Sequence, residues 1–569
     1  MHSLDSGRML IRNGSSSVLL TYLRNTTEEG DTEAKVCVVK KMNWTKNENL
    51  RGGREFYGIY GEIEANHGKY LIYIKDRKKV GELQGRNVYE VVAGETIFLS
   101  GKEDKMVYEL VQEFFKTPGL FFSDLDLSGP LGSPDSKEEN TDFIFNYIPL
   151  AKFGQKEDAK DAELFGVRII QGYFGQLNLN WDSEVKCCLL SRRSWKNTGT
   201  RFCARGSDAT GHAANSVETI FQFEKNKQTH SFLQIRGSIP LSWEQKINLS
   251  YKPPVKMGDP EISHQLFRKH LEVLSKRYGD VVFLTLLDAT GHEEELNNIY
   301  IDELKRNKVD YYAVDYHRMM KSPEERRVFK QALQELLLKN KVIRTNCVDC
   351  LDRTNVVQSQ LAKIKMLHFL NLPAFGEQGQ VLDVDDYLAV SEVRKLGQLW
   401  NQNANALAMQ YTGTSALKND LTAHGVRTFR GMIQDAISSG KRYVNNNFTD
   451  GRMQEIIEIL TGARHHLGNC SRGDRRVSIF LGAFIAAAIM ATAYHPILLV
   501  ILLACLILAG KRLLSLFLSF PSPLSSSPSN SSKSQSTKSQ TQSHSKPNTN
   551  HSKPNNKATP PPKTDMPKK

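Results

Sequence analysis

The sequence predicts an α/β domain that follows a β-rich amino-terminal part and precedes a carboxy-terminal membrane hairpin. Three features carry this prediction. Residues 17–115 hold many short β-branched and aromatic runs (VLLTYL, AKVCVVK, YLIYI, VYEVV, ETIFLS) set apart by Gly, Asn and Asp, the pattern of an antiparallel β-rich domain. From residue 261 onward helices and strands alternate, which argues for a largely parallel sheet. From Val477 to Gly510 the chain carries 34 residues without a charge. The predicted divisions are a β-rich subdomain at 1–165, the α/β domain at 166–462, a linker at 463–476, the hairpin at 477–512 and a disordered basic tail at 513–569.

Taken in order, the amino terminus MHSLDSGRMLIRNG lacks the apolar core of a cleaved signal peptide. KYLIYIKDRKKVGEL (69–83) reads as a hairpin, and 121–139, rich in Ser, Gly, Pro and acid, as a loop. Residues 261–278 read as a helix, VVFLTLLD (281–288) as a buried strand, YYAVDYH (311–317) as a shorter strand and 324–339 as a helix. KVIR (341–344) is a short strand. From Thr354 onward Val357, Leu361 and Ile364 recur at helical spacing. Residues 383–409 and 428–439 also read as helices.

The uncharged run divides at His495-Pro496 into arms at 477–494 and 497–510. Roughly 20 apolar residues cross a bilayer, so the run is long for one crossing. Arg472, Arg475 and Arg476 precede it and Lys511 and Arg512 follow it, which places both ends on the cytosolic side. A single tilted span is the alternative. The chain's net charge is +13, and beyond Ser515 eight lysines face one aspartate, a local +7. The rest is therefore only mildly basic, which gives no argument for nucleic acid. A basic Ser/Lys/Pro tail beside a membrane run suits anionic lipid and cannot form a core. The eight cysteines are scattered and show no disulfide framework. Cys347 and Cys350 form a Cys-x-x-Cys, but a zinc or redox reading needs a second pair or histidines at ligand spacing. Cys350 reads instead as a small buried loop residue, with a resolving thiol as the alternative.

The most informative segment is Arg344 to Asn355, RTNCVDCLDRTN. Five residues separate Cys347 from Arg353, and Thr354 follows directly. That spacing suits a loop curled around a tetrahedral anion, with backbone N–H groups pointing inward. The arginine can grip two phosphate oxygens at once. The cysteine lies near the positive end of the following helix, where thiolate accumulates. Strand, loop and helix put the motif at the carboxyl end of a strand, where open α/β sheets place ligands.

The full string resembles the signature of the Sac-domain phosphoinositide phosphatases. The likeness continues, in the family's order, through FGVRIIQGYFGQ (165–176), SRRSWKNTGTRFCARG (191–206), NSVETIFQ (215–222), SFLQIRGSIPLSWEQ (231–245) and QYTGTSALKND (410–420), and covers roughly residues 50–462. The resemblance implies a catalytic domain of cysteine-phosphatase type behind a non-catalytic amino-terminal subdomain. Its membrane-anchored members imply phosphatidylinositol 4-phosphate as the main substrate, with the 3-phosphate second, and the endoplasmic reticulum membrane, with the Golgi second, as the location.

In this reading Cys347 is the nucleophile and Arg353 holds the phosphoryl oxygens. A general acid must protonate the leaving oxygen. Asp349 and Asp352 are the candidates, Asp349 ahead, with bracing of the loop as the alternative for both. Asp315 and His317 form an outside pair. Asn346, Val348, Cys350, Leu351, Thr354 and Arg236 complete the expected substrate contacts, Thr354 serving the thiolate or the helix cap. Arg192, Arg193, Arg201, Arg205 and Arg236 lie in family-like segments and could face the lipid, or be structural. The loop's acidic residues and lack of lysine argue against a heavily phosphorylated headgroup. No metal and no cofactor is required, since arginine and backbone dipoles do the electrostatic work. The partner is the phosphoinositide in its membrane, and the sequence names no protein partner. Two alternatives are a catalytically weak lipid-binding scaffold of the same fold and a thiol-phosphatase acting on soluble inositol phosphates or phosphoprotein.

Overall fold

The computed structural model describes residues 7–13, 17–24, 34–40, 53–129, 140–155, 162–181, 183–248, 250, 252–319, 322–376, 381–424 and 428–466. The expected hairpin at 477–512 and tail at 513–569 lie outside the described residues, as does the linker beyond 466. Among the described residues no helix is long and apolar enough to cross a membrane.

Strands β1 (Gly7–Asn13), β2 (Ser17–Arg24), β3 (Ala34–Lys40) and β4 (Arg54–Phe56) form a small antiparallel sheet in the order β3-β2-β1-β4. Met9 pairs with Tyr22 and Ile11 with Leu20, and all four side chains are buried on one face, as a period of two requires.

A second sheet has eleven strands. Those from the amino-terminal part are β5 (Ile59–Ala65), β6 (Gly68–Leu83), β7 (Arg86–Gly101) and β8 (Leu120–Ser123). An antiparallel meander follows: β9 (Ile170–Asn180), β10 (Glu184–Arg193), β11 (Val217–Lys225) and β12 (Gln228–Arg236). The short pair β13 (Trp243–Glu244) and β14 (Lys256–Met257) stands apart, and β15 (Val281–Thr285), β16 (Tyr311–Ala313) and β17 (Val342–Asn346) complete the large sheet. Its order is β16-β15-β17-β12-β11-β10-β9-β8-β7-β6-β5. It runs unbroken across residue 165, because Leu120 and Phe121 of β8 pair with Gln171 and Ile170 of β9.

The sheet is mixed, not largely parallel as the helix–strand alternation suggested. Parallel pairing is confined to β12–β17, β15–β17 and β15–β16. The pairs β5–β6, β6–β7 and β11–β12 are joined too tightly for parallel pairing. Between β11 and β12, Asn226 and Lys227 take φ of 53° and 64°, so the chain reverses in two residues. The stretch 69–83 is likewise one long strand rather than a hairpin. Register shifts near Tyr70, Asp76 and Gly81 bend β6 against β7 and absorb its polar centre without a turn.

Helices α1 (Lys105–Phe115), α2 (Tyr147–Gly154) and α3 (Ala162–Phe165) accompany the amino-terminal strands. In the α/β part come α4 (Pro260–Tyr278), α5 (Glu294–Arg306), α6 (Tyr316–Met319), α7 (Pro323–Leu338) and α8 (Asp352–Phe369). The chain then folds as α9 (Val390–Thr412), α10 (Asn419–His424), α11 (Phe429–Phe448) and α12 (Asp450–Leu460). The caps explain the starts of α4 and α7. Asp259 and Ser322 accept first-turn N–H groups, and Pro260 and Pro323 open the two helices.

Some boundaries differ from expectation. Residues 121–123 belong to β8 rather than to a loop. The strand at 281 ends at Thr285 and the one at 311 at Ala313, and residues 316–319 turn helical because Asp315 caps the Arg318 N–H. The helix expected at 383–409 begins only at Val390, since Asp383 and Asp386 cap a separate short turn. The helix expected to end at 439 continues to Phe448.

The central core packs Val282 and Leu284 of β15, Ile343 of β17, Val357, Leu361 and Ile364 of α8, and Trp400 of α9. Each such side chain contributes about 1.5–3 kcal/mol on burial. This core fixes the two elements that carry the Cys-x5-Arg loop. At the other end, α12 packs Ile456, Ile457 and Leu460 against Tyr60, Ile72 and Phe114. There the Tyr60 hydroxyl donates to the Leu460 carbonyl at 3.0 Å, and the Asn66 N–H to that of His465 at 2.9 Å.

Candidate active site

β17 lies between β12 and β15, parallel to both, so its carboxyl end opens where ligands bind in α/β sheets. Asn346 ends the strand. Its amide is held by Tyr300 Oη (3.0 Å) and Thr285 Oγ1 (3.2 Å), and its carbonyl by the Leu286 N–H (2.8 Å). Residues 347–351 then turn into α8, whose first residue is Asp352.

Cys347 is buried at the base of this turn. Its Sγ accepts the Cys350 N–H at 3.1 Å and the Thr354 hydroxyl at 3.5 Å. Cys350 has φ of 52°, the left-handed conformation that points its N–H back at the sulfur. The Cys347 thiol is shifted down to about 6: the Cys350 side chain beside it lowers it most, burial opposes, and the Arg353 charge and Thr354 hydroxyl lower it further. Burial alone does the reverse, as at Cys188, where desolvation pushes the thiol up to about 12. Cys350 itself is pushed well above the usual thiol range by burial and by its neighbour. Its Sγ donates to the Gly237 and Cys347 carbonyls at 2.9 and 3.0 Å, consistent with the small buried loop residue expected.

A cavity of about 470 Å³ opens over Cys347. The loop and α8 contribute Val348, Asp349, Asp352 and Arg353; the segment after β15 contributes Asp288, His292 and Glu293; Arg201, Lys252 and Lys418 add positive charge; α11 contributes Arg442, Tyr443 and Asn446.

Arg353 lies on the wall. It donates to the Leu286 carbonyl (2.8 Å), to Glu293 (3.0 Å) and to Asp288 (3.3 Å). Burial works against its charge, and Cys347, Glu293 and Asp288 more than offset this. The fork expected to hold phosphate is thus held by carboxylates that a phosphate must share or displace.

Both aspartates are paired in the structure, as the bracing alternative for each describes. Asp349 sits between Arg201 (2.5 Å) and Arg205 (2.7 Å). Burial raises its pKa, but the two guanidiniums outweigh burial and hold it well below the carboxylate range. Asp352 pairs with Arg442 at 2.8 Å and accepts the Leu417 N–H at 2.6 Å, tying α8 to α11. Asp315 caps α6 and does not line the cavity, and the side chain of His317 lies outside the described part.

Of the six expected substrate contacts only Val348 lines this cavity. Asn346 and Thr354 are buried supports, for the strand end and the thiol. Cys350, Leu351 and Arg236 line a small void behind the loop, with Arg193, Asn215 and Tyr411. Arg236 is fully buried there, its Nε and Nη2 making no hydrogen bond, and burial lowers its pKa to about 10 while Cys350 and Cys347 oppose the shift. Arg192 pairs with buried Glu218 at 2.6 Å, and Arg193 bonds the Gly199 and Gln410 carbonyls. Of the five family-segment arginines only Arg201 reaches the main cavity.

The sequence reading missed Asp288, His292, Glu293 and the α11 residues. DATGHEEE, after a predicted strand next to the motif strand, was a usable signal for the first three. Nothing local marks Arg442, because its role comes from the packing of α11 on α8.

These features describe a thiol-based anion site. The sequence profile of the SacI homology domain matches residues 57–321. Phosphoinositide phosphatase SAC8 of Arabidopsis thaliana is 32% identical over 462 residues, spanning 73% of this chain and 76% of the relative. Phosphatidylinositol-3-phosphatase SAC1-B of Danio rerio is 32% identical over 458 residues, with 72% and 76% covered. Phosphatidylinositol-3-phosphatase SAC1 of Drosophila melanogaster is 30% identical over 455 residues, with 73% and 76% covered. The chain belongs to the Sac-domain phosphoinositide phosphatase family.

Proposed function

We propose that this chain is a phosphoinositide phosphatase of the Sac type, acting on phosphatidylinositol monophosphates through a cysteinyl-phosphate. The observation that carries the chemistry is the buried Cys347 sulfur, which receives two hydrogen bonds and sits under a cavity walled by Arg353. In the first step the Cys347 thiolate attacks phosphorus, the bond from phosphorus to the inositol oxygen breaks, and that oxygen takes a proton. Arg353 turns from Glu293 and Asp288 onto the phosphoryl oxygens, and one of the carboxylates it releases takes up a proton from solvent and passes it to the leaving oxygen. Water then attacks the phosphorus, inorganic phosphate leaves, and the thiolate is regenerated.

The 4-phosphate is the preferred substrate and the 3-phosphate the second, as the resemblance to membrane-anchored Sac proteins implies. The zebrafish and fly relatives carry 3-phosphatase names. The uncharged run at 477–510 anchors the chain as a hairpin in the endoplasmic reticulum, with the Golgi second, and keeps Cys347 in the cytosol. The test is phosphate release by the full chain in mixed micelles against a panel of phosphoinositide isomers, beside Cys347→Ser. Activity retained by that variant at equal folding sinks the mechanism. Protease added to intact microsomes should digest epitopes at both termini; a carboxy-terminal epitope that survives until detergent is added means a single span.

A further inference from the structure

The helix that closes one side of the cavity carries a second surface. The inner face of α11 buries Ser438, Arg442 and Asn446, and Arg442 binds Asp352 at the start of α8. Its outer face is apolar instead of polar. Phe429 is 75% exposed, Met432 48%, Ile433 49% and Ile437 45%, and Ala436 and Gly440 are exposed between and beyond them. The positions follow helical spacing and form one continuous stripe. A soluble domain turns such a stripe inward, so one turned outward marks a contact surface.

We propose that this stripe lies in the bilayer surface and brings the cavity down onto lipid headgroups, an inference that rests on the phosphoinositide phosphatase reading. Three observations favour a membrane as the occupant. The stripe is continuous with the site: Ser439 and Tyr443 of the same helix line the cavity, and Ile437 is about 9 Å along the axis from Tyr443. Its charges suit an anionic leaflet. Arg430 and Lys441 are exposed beside it, while Asp435, the only acidic residue of α11, faces inward and accepts the Lys418 N–H at 3.0 Å. A second lining segment adds an exposed apolar group and a cation, Lys252. Ile247, 43% exposed, lies in the segment whose Gln245 and Lys252 line the cavity, next to Lys246, which pairs with Glu244 at 3.3 Å. Exposed apolar groups with neighbouring basic residues thus occur on two of the segments that line the cavity through which a headgroup must enter.

The test uses the full chain reconstituted in phosphatidylcholine–phosphatidylserine vesicles. Phosphatidylinositol 4-phosphate is supplied either in the bilayer or as its water-soluble dioctanoyl form below micelle concentration. Met432→Asp combined with Ile433→Asp should lower the rate on the bilayer substrate by about ten-fold or more while staying within about two-fold of wild type on the soluble form. Ile433→Leu should keep both rates. A tryptophan introduced by Phe429→Trp should be quenched by brominated lipid above the wild-type background. Equal loss on both substrates means the stripe supports the fold, and unchanged rates with no quenching mean it meets no lipid; either overturns the proposal. Two other occupants would overturn it too. A second copy would appear as a detergent-stable dimer that the double variant dissolves. The chain's own carboxy-terminal residues would protect the tryptophan from a soluble quencher before lipid is added. If the wild type hydrolyses neither form, the phosphatase reading fails, and the quenching result still decides the membrane contact.

Discussion

Thr354→Val isolates one support of the nucleophile. The Thr354 hydroxyl donates to Cys347 Sγ at 3.5 Å, both groups are buried, and valine has nearly the same shape. The Cys347 thiol titrates at about 6 rather than 9.0, so at neutral pH most of it is thiolate. A hydrogen bond to a charged group contributes about 1.5–3 kcal/mol. Thr354 is the smallest of the three groups that lower the Cys347 thiol, so the lower end applies; at 1.36 kcal/mol per unit, its loss moves the Cys347 midpoint up by about one unit. The sign is fixed. The bond favours the ionised form, so reactivity that wild type keeps down to about pH 6 is lost in the variant at higher pH. The assay is the pH dependence of Cys347 alkylation by iodoacetamide, followed by mass spectrometry of the loop peptide, since Cys203 is also accessible. Thr354→Ser, which keeps the hydroxyl, should restore the wild-type midpoint. If the valine and wild-type midpoints coincide in folded protein, the assignment of Thr354 to the thiolate is refuted.

Four further outcomes are expected. Arg192→Met should destabilise the fold by about 3 kcal/mol in urea unfolding, because it leaves Glu218 buried without its arginine and with the Tyr278 hydroxyl still donating to it, yet leave the alkylation midpoint of Cys347 in place; a moved midpoint would give Arg192 a part in the site. Arg442→Met should release Asp352 and lower kcat on the soluble dioctanoyl substrate by at least about ten-fold, and an unaltered rate would mean that the α8–α11 tie is dispensable. Asp288→Asn and Glu293→Gln, compared on the lipid and on an aryl phosphate whose leaving group needs no proton, identify the acid; a variant defective on the lipid alone is the proton donor, and equal defects in both variants on both substrates count against this segment. A chelator should leave the rate unchanged, and activity lost in EDTA and restored by magnesium would exclude the mechanism drawn above.

The motif and its frame were legible in the sequence because both are local. Cys347, Arg353 and Thr354 follow from one string, and the strand before them and helix after them from spacing. Even the role of Thr354 at the sulfur matches one of the two readings its position allowed. What the sequence hid is set by distant partners. Whether Asp349 is an acid or a brace depends on Arg201 and Arg205, well over a hundred residues upstream. Arg236 sits on a strand beside the loop, but the pleat sends its side chain behind the loop rather than over it. The mixed sheet was misjudged because alternation of helix and strand describes only the chain after residue 260, where the pairing is parallel, whereas the strands before it pair antiparallel, several through two-residue turns. The bent β6 shows the same limit: its polar centre resembles a turn, and only its pairing with β7 shows a bulge.

The last helix of the folded part has a consequence in time. The pocket that receives α12, formed around Tyr60, Ile72 and Phe114, is translated early, while α12 itself begins only at Asp450. At about 5–20 residues per second, the interval from residue 165 to residue 460 is about 15–60 s. For that interval the nascent amino-terminal half carries an uncovered apolar face, a natural binding site for a chaperone. By the time α12 closes it, the uncharged run that begins at Val477 is the next stretch of chain to be made. Completion of this core and synthesis of the uncharged run therefore follow one another within a few seconds.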